Sequence, residues 1–195
     1  MRNVLTHEQT VEAATHRTTR RVLAVLAFAV LTAIGAAVEI PLPGNPVPFT
    51  LQTMIVSLAG VLLGPWLGAA SQSLYVLAGA AGAPVFAGGG AGLPHLFGPT
   101  GGYLLAFPVA AALTGALAGA PGPNTLRRTV RLALAILIGT LPVFVGGATQ
   151  LVFFTGDLRG AIALGVAPFL AGDVVKSLGA LVIAMRYRAR TLGQL

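Results

Sequence analysis

Two charged residues stand in an apolar segment near the end of the chain, where Asp173 and Lys176 are three residues apart in AGDVVKSLGALVIAM. No other charged residue occurs between Arg159 and Arg186. An ionised side chain costs a few kcal/mol to place in hydrocarbon, so residues of this kind pair with each other and mark substrate or ion paths. At a spacing of three on a helix, both side chains project from one face and can reach one small ligand.

The composition around this pair predicts a membrane protein. Charged residues make up 9% of the 195 residues, against about a quarter in a soluble domain, and the mean hydropathy is +0.85. From Val22 to Leu126, Glu39 is the only Asp, Glu, Lys or Arg. The net charge of +7 does not indicate a nucleic-acid partner, because the basic residues form short clusters and no stripe with aromatic residues. The chain has no cysteine, which excludes disulfides and Cys-ligated metals.

Six apolar segments approach the length of about 20 residues with which a helix crosses the hydrocarbon, and they predict an all-α, polytopic bundle. We expect a tail over residues 1–21, a transmembrane domain over 22–187 and a second tail over 188–195. The predicted spans are Val22–Val38, Val47–Leu63, Trp66–Gly82, Gly101–Ala118, Leu132–Phe154 and Pro168–Met185.

The arginines predict the orientation of these spans. Arg159 alone falls in the connections on one side of the predicted membrane, and the ten others fall on the opposite side. By the positive-inside rule, both tails are predicted to be cytoplasmic in a multi-pass protein of the cell membrane. The ten are Arg2, Arg17, Arg20, Arg21, Arg127, Arg128, Arg131, Arg186, Arg188 and Arg190.

Two connections on the predicted outer side have an unusual composition. Ile40–Thr50 contains four prolines, so it cannot form a regular helix. Gly82–Tyr103 is rich in glycine, apolar and uncharged. Irregular backbone at membrane depth persists only if it is buried in protein or lines a cavity. We therefore expect Gly82–Tyr103 to cap or wall a pocket, with a flexible external loop as the alternative.

Five segments follow one another in a characteristic order: PVPFTLQT at Pro46–Thr53, LLGPWLGA at Leu62–Ala69, GAPVFAGG at Gly82–Gly89, FGPTGGYLLAFP at Phe97–Pro108 and AGDVVK at Ala171–Lys176. Together they resemble the signature segments of the BioY family, the biotin-binding S components of energy-coupling factor transporters. The resemblance extends over nearly all of the chain from Val22 to Met185. It implies six transmembrane helices, an external biotin pocket, and docking onto a transmembrane coupling subunit driven by two cytoplasmic ATPases.

The resemblance assigns ligand roles to the charged pair, because Asp173 and Lys176 match the Asp and Lys of the family's last-helix motif. Biotin's ureido ring offers two N–H donors and one carbonyl acceptor, and its tail ends in a carboxylate. A carboxylate at Asp173 suits the N–H groups, whereas Lys176 can bond the ureido oxygen, attract the tail or neutralise Asp173. The alternative is a structural ion pair that locks the last span.

Further site residues follow from the same resemblance. Gln52 matches a family position and can reach the ureido group or bond a neighbouring helix, and Tyr103 is expected in the pocket wall. Gly90 stands where some members have Asn, and Leu104 where some have Arg. Since glycine lets the backbone approach a ligand closely, the amides of the glycine-rich loop are expected to serve as donors, at Gly88, Gly89 and Gly90.

Partner docking is predicted on the first span. Ala33 and Ala37 fit the Ala-x-x-x-Ala pattern with which S components dock on the coupling subunit, although such spacing also serves packing within a bundle. Membrane lipid is the other expected partner, and a homo-oligomer is left open. No metal site is expected, since His95 stands alone in its loop.

Two other classes of protein fit these residues less well. An intramembrane enzyme is disfavoured, because no His or second carboxylate within the spans completes a nucleophile and base pair. A proton-coupled secondary carrier that uses Asp173 is disfavoured by the short chain and the lack of an evident inverted repeat. The chain has no G-x-x-x-x-G-K-[ST] loop, so the resemblance assigns ATP to the partner subunits and no cofactor to this chain.

Overall fold

The protein is a bundle of α-helices, described by a computed structural model that covers residues 7–123 and 125–195, with side chains for 15–123 and 125–195. The order of elements agrees with the predicted all-α class. The helices are α1 (His7–Ala37), α2 (Gln52–Leu63), α3 (Pro65–Ala80), α4 (Leu93–Leu96), α5 (Gly101–Ala118), α6 (Leu126–Thr155), α7 (Leu158–Gly165) and α8 (Ala167–Gln194).

Four stretches of the described chain are helical, long and apolar enough to cross a membrane: Thr15–Ala37, Gly101–Ala118, Leu126–Thr155 and Leu158–Gln194. The second and third predicted spans are shorter helices, since α2 has 12 residues and α3 has 16. They meet at Gly64, whose positive φ of 82° and following proline turn the chain at once. Each of the six predicted segments therefore contains a helix, but two of these helices lack full spanning length.

The second predicted span begins too early, because the structure starts α2 at Gln52 and not at Val47. Pro46 and Pro48 lack a backbone N–H, and Phe49–Thr50 forms a short strand, β2. This strand pairs antiparallel with β1 (Glu39–Ile40), so the proline-rich connection is a hairpin. The carbonyl of Leu164 in α7 accepts a 2.7 Å hydrogen bond from Nδ2 of Asn45, which anchors the hairpin to the neighbouring helix.

Both ends of the chain are more helical than the predicted tails. α1 runs without interruption from His7, so residues 7–21 continue the first span, while residues 1–6 lie outside the described residues. α8 continues to Gln194, and the predicted boundary at residue 187 falls inside it. The last residue of the chain lies beside α1, since Arg21 Nε donates to the carbonyl oxygen of Leu195 at 2.8 Å.

Glycines bring α2, α3 and α5 together backbone to backbone. A Cβ at Gly60 would overlap the carbonyl oxygen of Ala111 in α5, and one at Gly68 would lie 2.9 Å from the carbonyl oxygen of Ala59 in α2. At Gly115, a Cβ would lie 2.7 Å from the carbonyl oxygen of Gly60. Close helix approach of this kind is typical of membrane bundles. α2 also packs against α8, which carries the charged pair.

Candidate functional site

A narrow cavity opens at the end of the bundle opposite the chain termini. Its atom-free volume of about 570 Å³ includes the mouth. The polypeptide around it comes from the hairpin, from the glycine-rich connection and from α2, α5, α6 and α8, so the site is assembled from distant parts of the chain. The lining residues with functional groups are Thr50, Gln52, Thr53, His95, Thr100, Tyr103, Asp173 and Lys176, and the apolar wall includes Leu104, Phe107, Val143, Phe144 and Phe169.

The charged pair lies in this cavity and is buried. Asp173 is 6% exposed and Lys176 is 7% exposed, and Nζ of Lys176 forms an ion pair with Oδ1 of Asp173 along one turn of α8. Nζ also donates to the carbonyl oxygen of Thr50 at 3.1 Å and lies 4.2 Å from the ring centroid of Phe49. Lys176 therefore has three favourable partners, and its charge is neutralised within the protein.

Only one of the two carboxylate oxygens of Asp173 has a bonding partner among the described residues. Oδ1 accepts from the hydroxyl of Thr53 at 3.0 Å in addition to Lys176. Oδ2 is buried and has no hydrogen-bond partner among the described residues. A buried carboxylate oxygen without a donor is costly, so an N–H or O–H group of a ligand that reached Oδ2 would offset that cost.

A glycine in α8 leaves room for an aromatic ring beside the Asp173–Lys176 pair. The ring of Phe49 packs directly against Cα of Gly172, where a Cβ would overlap it. Phe49 also stacks on Phe169 with ring centroids 6.2 Å apart. The hairpin that carries Phe49 and Thr50 is thus held against α8, which explains how a proline-rich connection contributes to the site.

Gln52 lies on the cavity wall and joins it to the glycine-rich connection. Its Nε2 donates to the hydroxyl of Tyr75 at 2.7 Å, and that hydroxyl donates to the carbonyl oxygen of Val85 at 3.1 Å. Its Oε1 accepts from the hydroxyl of Thr50 at 3.1 Å. Gln52 therefore takes part in hydrogen bonds between elements, and a role in binding a ligand stays a prediction.

Tyr103 lines the cavity and is fixed at its far end. Its hydroxyl donates to the carbonyl oxygen of Gly165 at 2.8 Å, and its ring packs on Gly147, where a Cβ would overlap it. The neighbouring Leu104 is 4% exposed and lines the same cavity. Among the described lining residues, Lys176 is the only Lys or Arg.

The glycine-rich loop lies outside the inner cavity. Gly88 and Gly90 line a shallow outer depression, which shares Pro48, Ala87, His95 and Thr100 with the cavity, whereas Gly89 lines neither. That these amides serve as ligand donors stays a prediction, and two of them bond carbonyls within the loop. The amide of Gly89 donates to the carbonyl of Phe86, and that of Gly90 to the carbonyl of Ala87, within a 3-10 turn.

The alanines predicted for docking differ in exposure. Ala33 is partly buried and packs on the core cluster that includes Ala29 and Val56. Ala37, at the end of α1, is exposed. Ala37 is thus the more accessible of the two, and the role of both alanines in docking stays a prediction.

Several residues of the site were not found from the sequence. Thr53 lies within the PVPFTLQT segment but carries no sign that its hydroxyl meets Asp173, 120 positions away. Phe49 and Phe169 read as ordinary apolar residues, and His95 as an isolated loop histidine. In the structure, His95 stacks on Phe86 with centroids 5.0 Å apart and its Nε2 lies 3.3 Å from the hydroxyl of Thr100.

The helical bundle and its small, mostly apolar cavity with one buried charged pair define a polytopic membrane protein that binds a small molecule. A crystal structure of an S-component for biotin from an ECF-type ABC transporter has the same fold, with a TM-score of 0.75 over 95% of each chain and 27% sequence identity.

Sequence comparison assigns the family. A profile of the BioY family matches residues 7–192. The probable biotin transporter BioY of Pyrococcus horikoshii is 41% identical over 88% of this chain and 98% of its own length. The biotin transporter BioY of Thermotoga maritima is 40% identical over 83% and 91% of the two chains. The chain belongs to the BioY family, which confirms the resemblance and makes it a transport protein and not an enzyme.

Proposed function

We propose that this chain is the substrate-binding membrane subunit for biotin uptake, which captures biotin at the external face and delivers it with an ATP-driven coupling module. The observation that carries the proposal is the buried Oδ2 of Asp173, an acceptor without a partner among the described residues, in an aromatic-walled cavity. The names of the relatives and the description of the similar crystal structure point to the same ligand.

Biotin fits the chemistry of this cavity. Its ureido ring presents two N–H donors, and one of them can donate to Oδ2 of Asp173, which has no partner among the described residues, while Thr53 and Lys176 occupy Oδ1. The apolar bicyclic ring packs against aromatic walls such as Phe107 and Tyr103. Lys176 neutralises Asp173, so this pair contributes no net charge to the cavity.

The valerate tail of biotin is proposed to point toward the mouth of the cavity. His95 and Thr100 line both the inner cavity and the outer depression, so they are the polar side chains that a tail leaving the cavity meets. Leu104 supplies no charge there. Lys176 lies at the proposed ring end, beside Asp173, and supports that carboxylate.

Transport requires partners that this chain lacks. The proposed assembly contains a transmembrane coupling subunit and two cytoplasmic ATPases, and the chain lies in the cell membrane with both termini in the cytoplasm. The segregation of nine described arginines to the end of the bundle that holds Arg21 and Leu195, with Arg159 on the opposite side, supports this orientation. The exposed apolar face of α1, which ends at Ala37, is the proposed docking face.

The ligand is tested by isothermal titration calorimetry of the purified chain with biotin, thiamine and riboflavin. We expect heat and saturation with biotin alone, because the other two vitamins do not present the ureido donors. Saturable binding of thiamine or riboflavin in place of biotin would refute the proposal.

The docking face is tested by Ala37→Leu, with the same change at exposed Ala70 of α3 as the control. We expect Ala37→Leu to reduce ATP-dependent uptake in cells with the partner subunits while biotin binding persists, because added bulk prevents close helix approach. Ala70→Leu should leave uptake unchanged. Equal uptake by both variants at equal membrane abundance would assign Ala37 to a lipid-facing surface.

A further inference from the structure

A histidine lies at the mouth of the proposed ligand cavity, in the glycine-rich connection. His95 lines both the inner cavity and the outer depression, and Thr100 does the same. Nε2 of His95 lies 3.3 Å from the hydroxyl oxygen of Thr100. That separation is long for a hydrogen bond between nitrogen and oxygen, so the two groups hold each other only weakly.

The imidazole ring of His95 is held in place by aromatic neighbours. One face stacks on Phe86, with ring centroids 5.0 Å apart and an interplanar angle of 21°. Phe86 is itself 2% exposed, and its ring packs on Cα of Gly79, where a Cβ would overlap it. The ring of Tyr75 meets Phe86 edge to face at 5.6 Å. This support fixes the imidazole at the mouth before a ligand arrives, which lowers the entropic cost of binding.

A glycine makes room for the edge of this ring. A Cβ at position 90 would overlap Nδ1 and Cε1 of His95. The backbone of Gly90 does not itself require glycine, because its φ of −61° and ψ of 150° are extended values that any residue adopts. It is therefore the imidazole that excludes a side chain from position 90.

The other polar side chains that line the cavity and can donate a hydrogen bond already have protein acceptors. These acceptors are the Gln52 side chain for Thr50, the Tyr75 hydroxyl for Gln52, the Asp173 carboxylate for Thr53 and Lys176, and the Gly165 carbonyl for Tyr103. Among the described lining residues, His95 and Thr100 are the only such side chains that bond nothing but each other. They are thus the donors that a ligand can engage without breaking a bond within the protein.

We infer that His95 binds the carboxylate of the ligand's tail, with the hydroxyl of Thr100 as the second donor. The inference rests on the proposed function and adds to it the group that holds the charged end of biotin. A carboxylate has two oxygens, and one can accept from the hydroxyl while the other accepts from Nε2, in the tautomer that carries its proton there. The bond from the ring becomes charge-assisted when the imidazole takes up a second proton. Gly90 belongs to this subsite because it leaves the ring its place.

Three other charged side chains of the described residues line the cavity or the depression. Glu39 lines the outer depression, while Asp173 and Lys176 lie in the inner cavity and neutralise each other. Between pH 8 and pH 6, an imidazole ordinarily changes its charge, whereas carboxylates and ammonium groups do not. A pH dependence that appears with free biotin and not with biotin amide, whose tail is uncharged, therefore reports His95.

The test is isothermal titration calorimetry of the purified full chain with free biotin and biotin amide at pH 6 and pH 8. The ratio of the two affinities should shift toward free biotin by about fivefold as the pH falls. His95→Phe keeps a ring on Phe86 and removes both nitrogens, so at pH 6 it should weaken free biotin about tenfold and the amide less than about twofold. His95→Gln keeps an N–H donor that does not titrate, so its affinity ratio should not depend on pH. His16→Phe, at the other end of the bundle, is the control.

Gly90→Ala tests the role of the glycine. The added methyl group displaces the ring, so free biotin should bind several-fold more weakly while the amide is unaffected. In the double variant with His95→Phe, Gly90→Ala should cause no further selective loss, because the nitrogens are already gone. Gly122→Ala, where a Cβ has open space, is the control.

Three results would overturn the inference. One is an affinity ratio of the unaltered protein that stays the same at both pH values, a comparison that does not depend on the folding of any variant. Another is an effect of His95→Phe that is absent or equal for the two ligands, which would make the ring a structural part of the mouth. The third is full affinity of Gly90→Ala for free biotin. Binding of neither ligand by the unaltered protein would refute the proposed function itself.

Discussion

Two buried cations are held in opposite ways in this bundle. Lys176 lies in the ligand cavity, where Asp173 neutralises it and the Thr50 carbonyl and Phe49 ring complete its surroundings. Arg188 lies near the terminal end, where its Nε donates to the carbonyl oxygen of Val61 at 2.8 Å and its Nη2 to that of Gly119. No described carboxylate bonds Arg188.

The difference follows from what each place in the fold provides. Val61 is in the last turn of α2 and Gly119 caps α5, so Arg188 bonds carbonyls that helix ends leave unsatisfied and that carry partial negative charge. Lys176 bonds one backbone carbonyl, that of Thr50 in the hairpin, and Asp173 supplies the carboxylate that balances its charge. The arrangement around Arg188 holds three helices together, whereas the pair at Lys176 leaves one oxygen of Asp173 for a ligand.

The largest effect is expected from Arg188→Met, which should lower the free energy of unfolding by about 2 kcal/mol. Two carbonyls lose a charged donor, and relief of repulsion from Arg128 and Arg131 offsets only part of that loss. Biotin affinity of the folded fraction should not change. The measurement is thermal unfolding in detergent, with Arg190→Met as the exposed control. Equal unfolding midpoints for the two variants would contradict the structural role of Arg188.

A comparable effect, on binding and not on folding, is expected from Asp173→Asn. Biotin affinity should fall by at least about 1.5 kcal/mol, roughly tenfold, because the ligand loses a charge-assisted bond and Lys176 loses its counter-ion. Calorimetry with biotin measures the change. Asp157→Asn, the same substitution at an exposed helix cap, is the control. If the Asp173→Asn variant binds biotin as tightly as the parent does, Asp173 is excluded from the site.

A smaller loss is expected from Thr53→Val, which removes the hydroxyl bonded to Oδ1 of Asp173 while keeping the side-chain volume. Biotin affinity should fall by about 1 kcal/mol, because the carboxylate loses the bond that orients it. Thr140→Val is the matched control, since that hydroxyl bonds only the Leu137 carbonyl of its own helix among the described residues. Equal affinities in both variants would show that Thr53 does not orient Asp173.

The smallest expected effect concerns Lys176→Gln, and it is the difference between the affinity losses of two ligands. Free biotin and biotin amide should lose affinity alike, within about twofold, because Lys176 is occupied by Asp173 and Thr50 at the ring end of the cavity. Parallel calorimetry with the two ligands provides the ratio. A loss confined to free biotin would make Lys176 the partner of the tail carboxylate.

The sequence predicts the helices best where composition changes sharply. α5 begins and ends at the predicted residues, because glycines flank an apolar run on both sides. The predicted first span is shorter than α1, since the polar residues before Val22 continue the helix and hydropathy detects only its membrane part. The sequence gives no sign of α7, because its eight residues are fewer than a span and follow an ordinary turn at Gly156.

The site could be predicted only in part. The charged pair in an apolar helix can be recognised within the six residues AGDVVK. The family resemblance added Gln52 and Tyr103, which also line the cavity. The contacts of Thr53 and Phe49 with the pair depend on the packing of the hairpin and α2 against α8, and no local pattern encodes that packing. The same reason explains Arg188, which reads as one more arginine of a cytoplasmic cluster.

The close approach of α2, α3 and α5 has an evolutionary consequence. Gly60, Gly68 and Gly115 stand where even one methyl group would meet the backbone of a neighbouring helix. A change at any of them requires two helices to separate, so a single compensating substitution cannot rescue it. We expect these positions to remain glycine as the family diverges, whereas lipid-facing positions such as Val145 and Leu178 exchange freely among apolar residues.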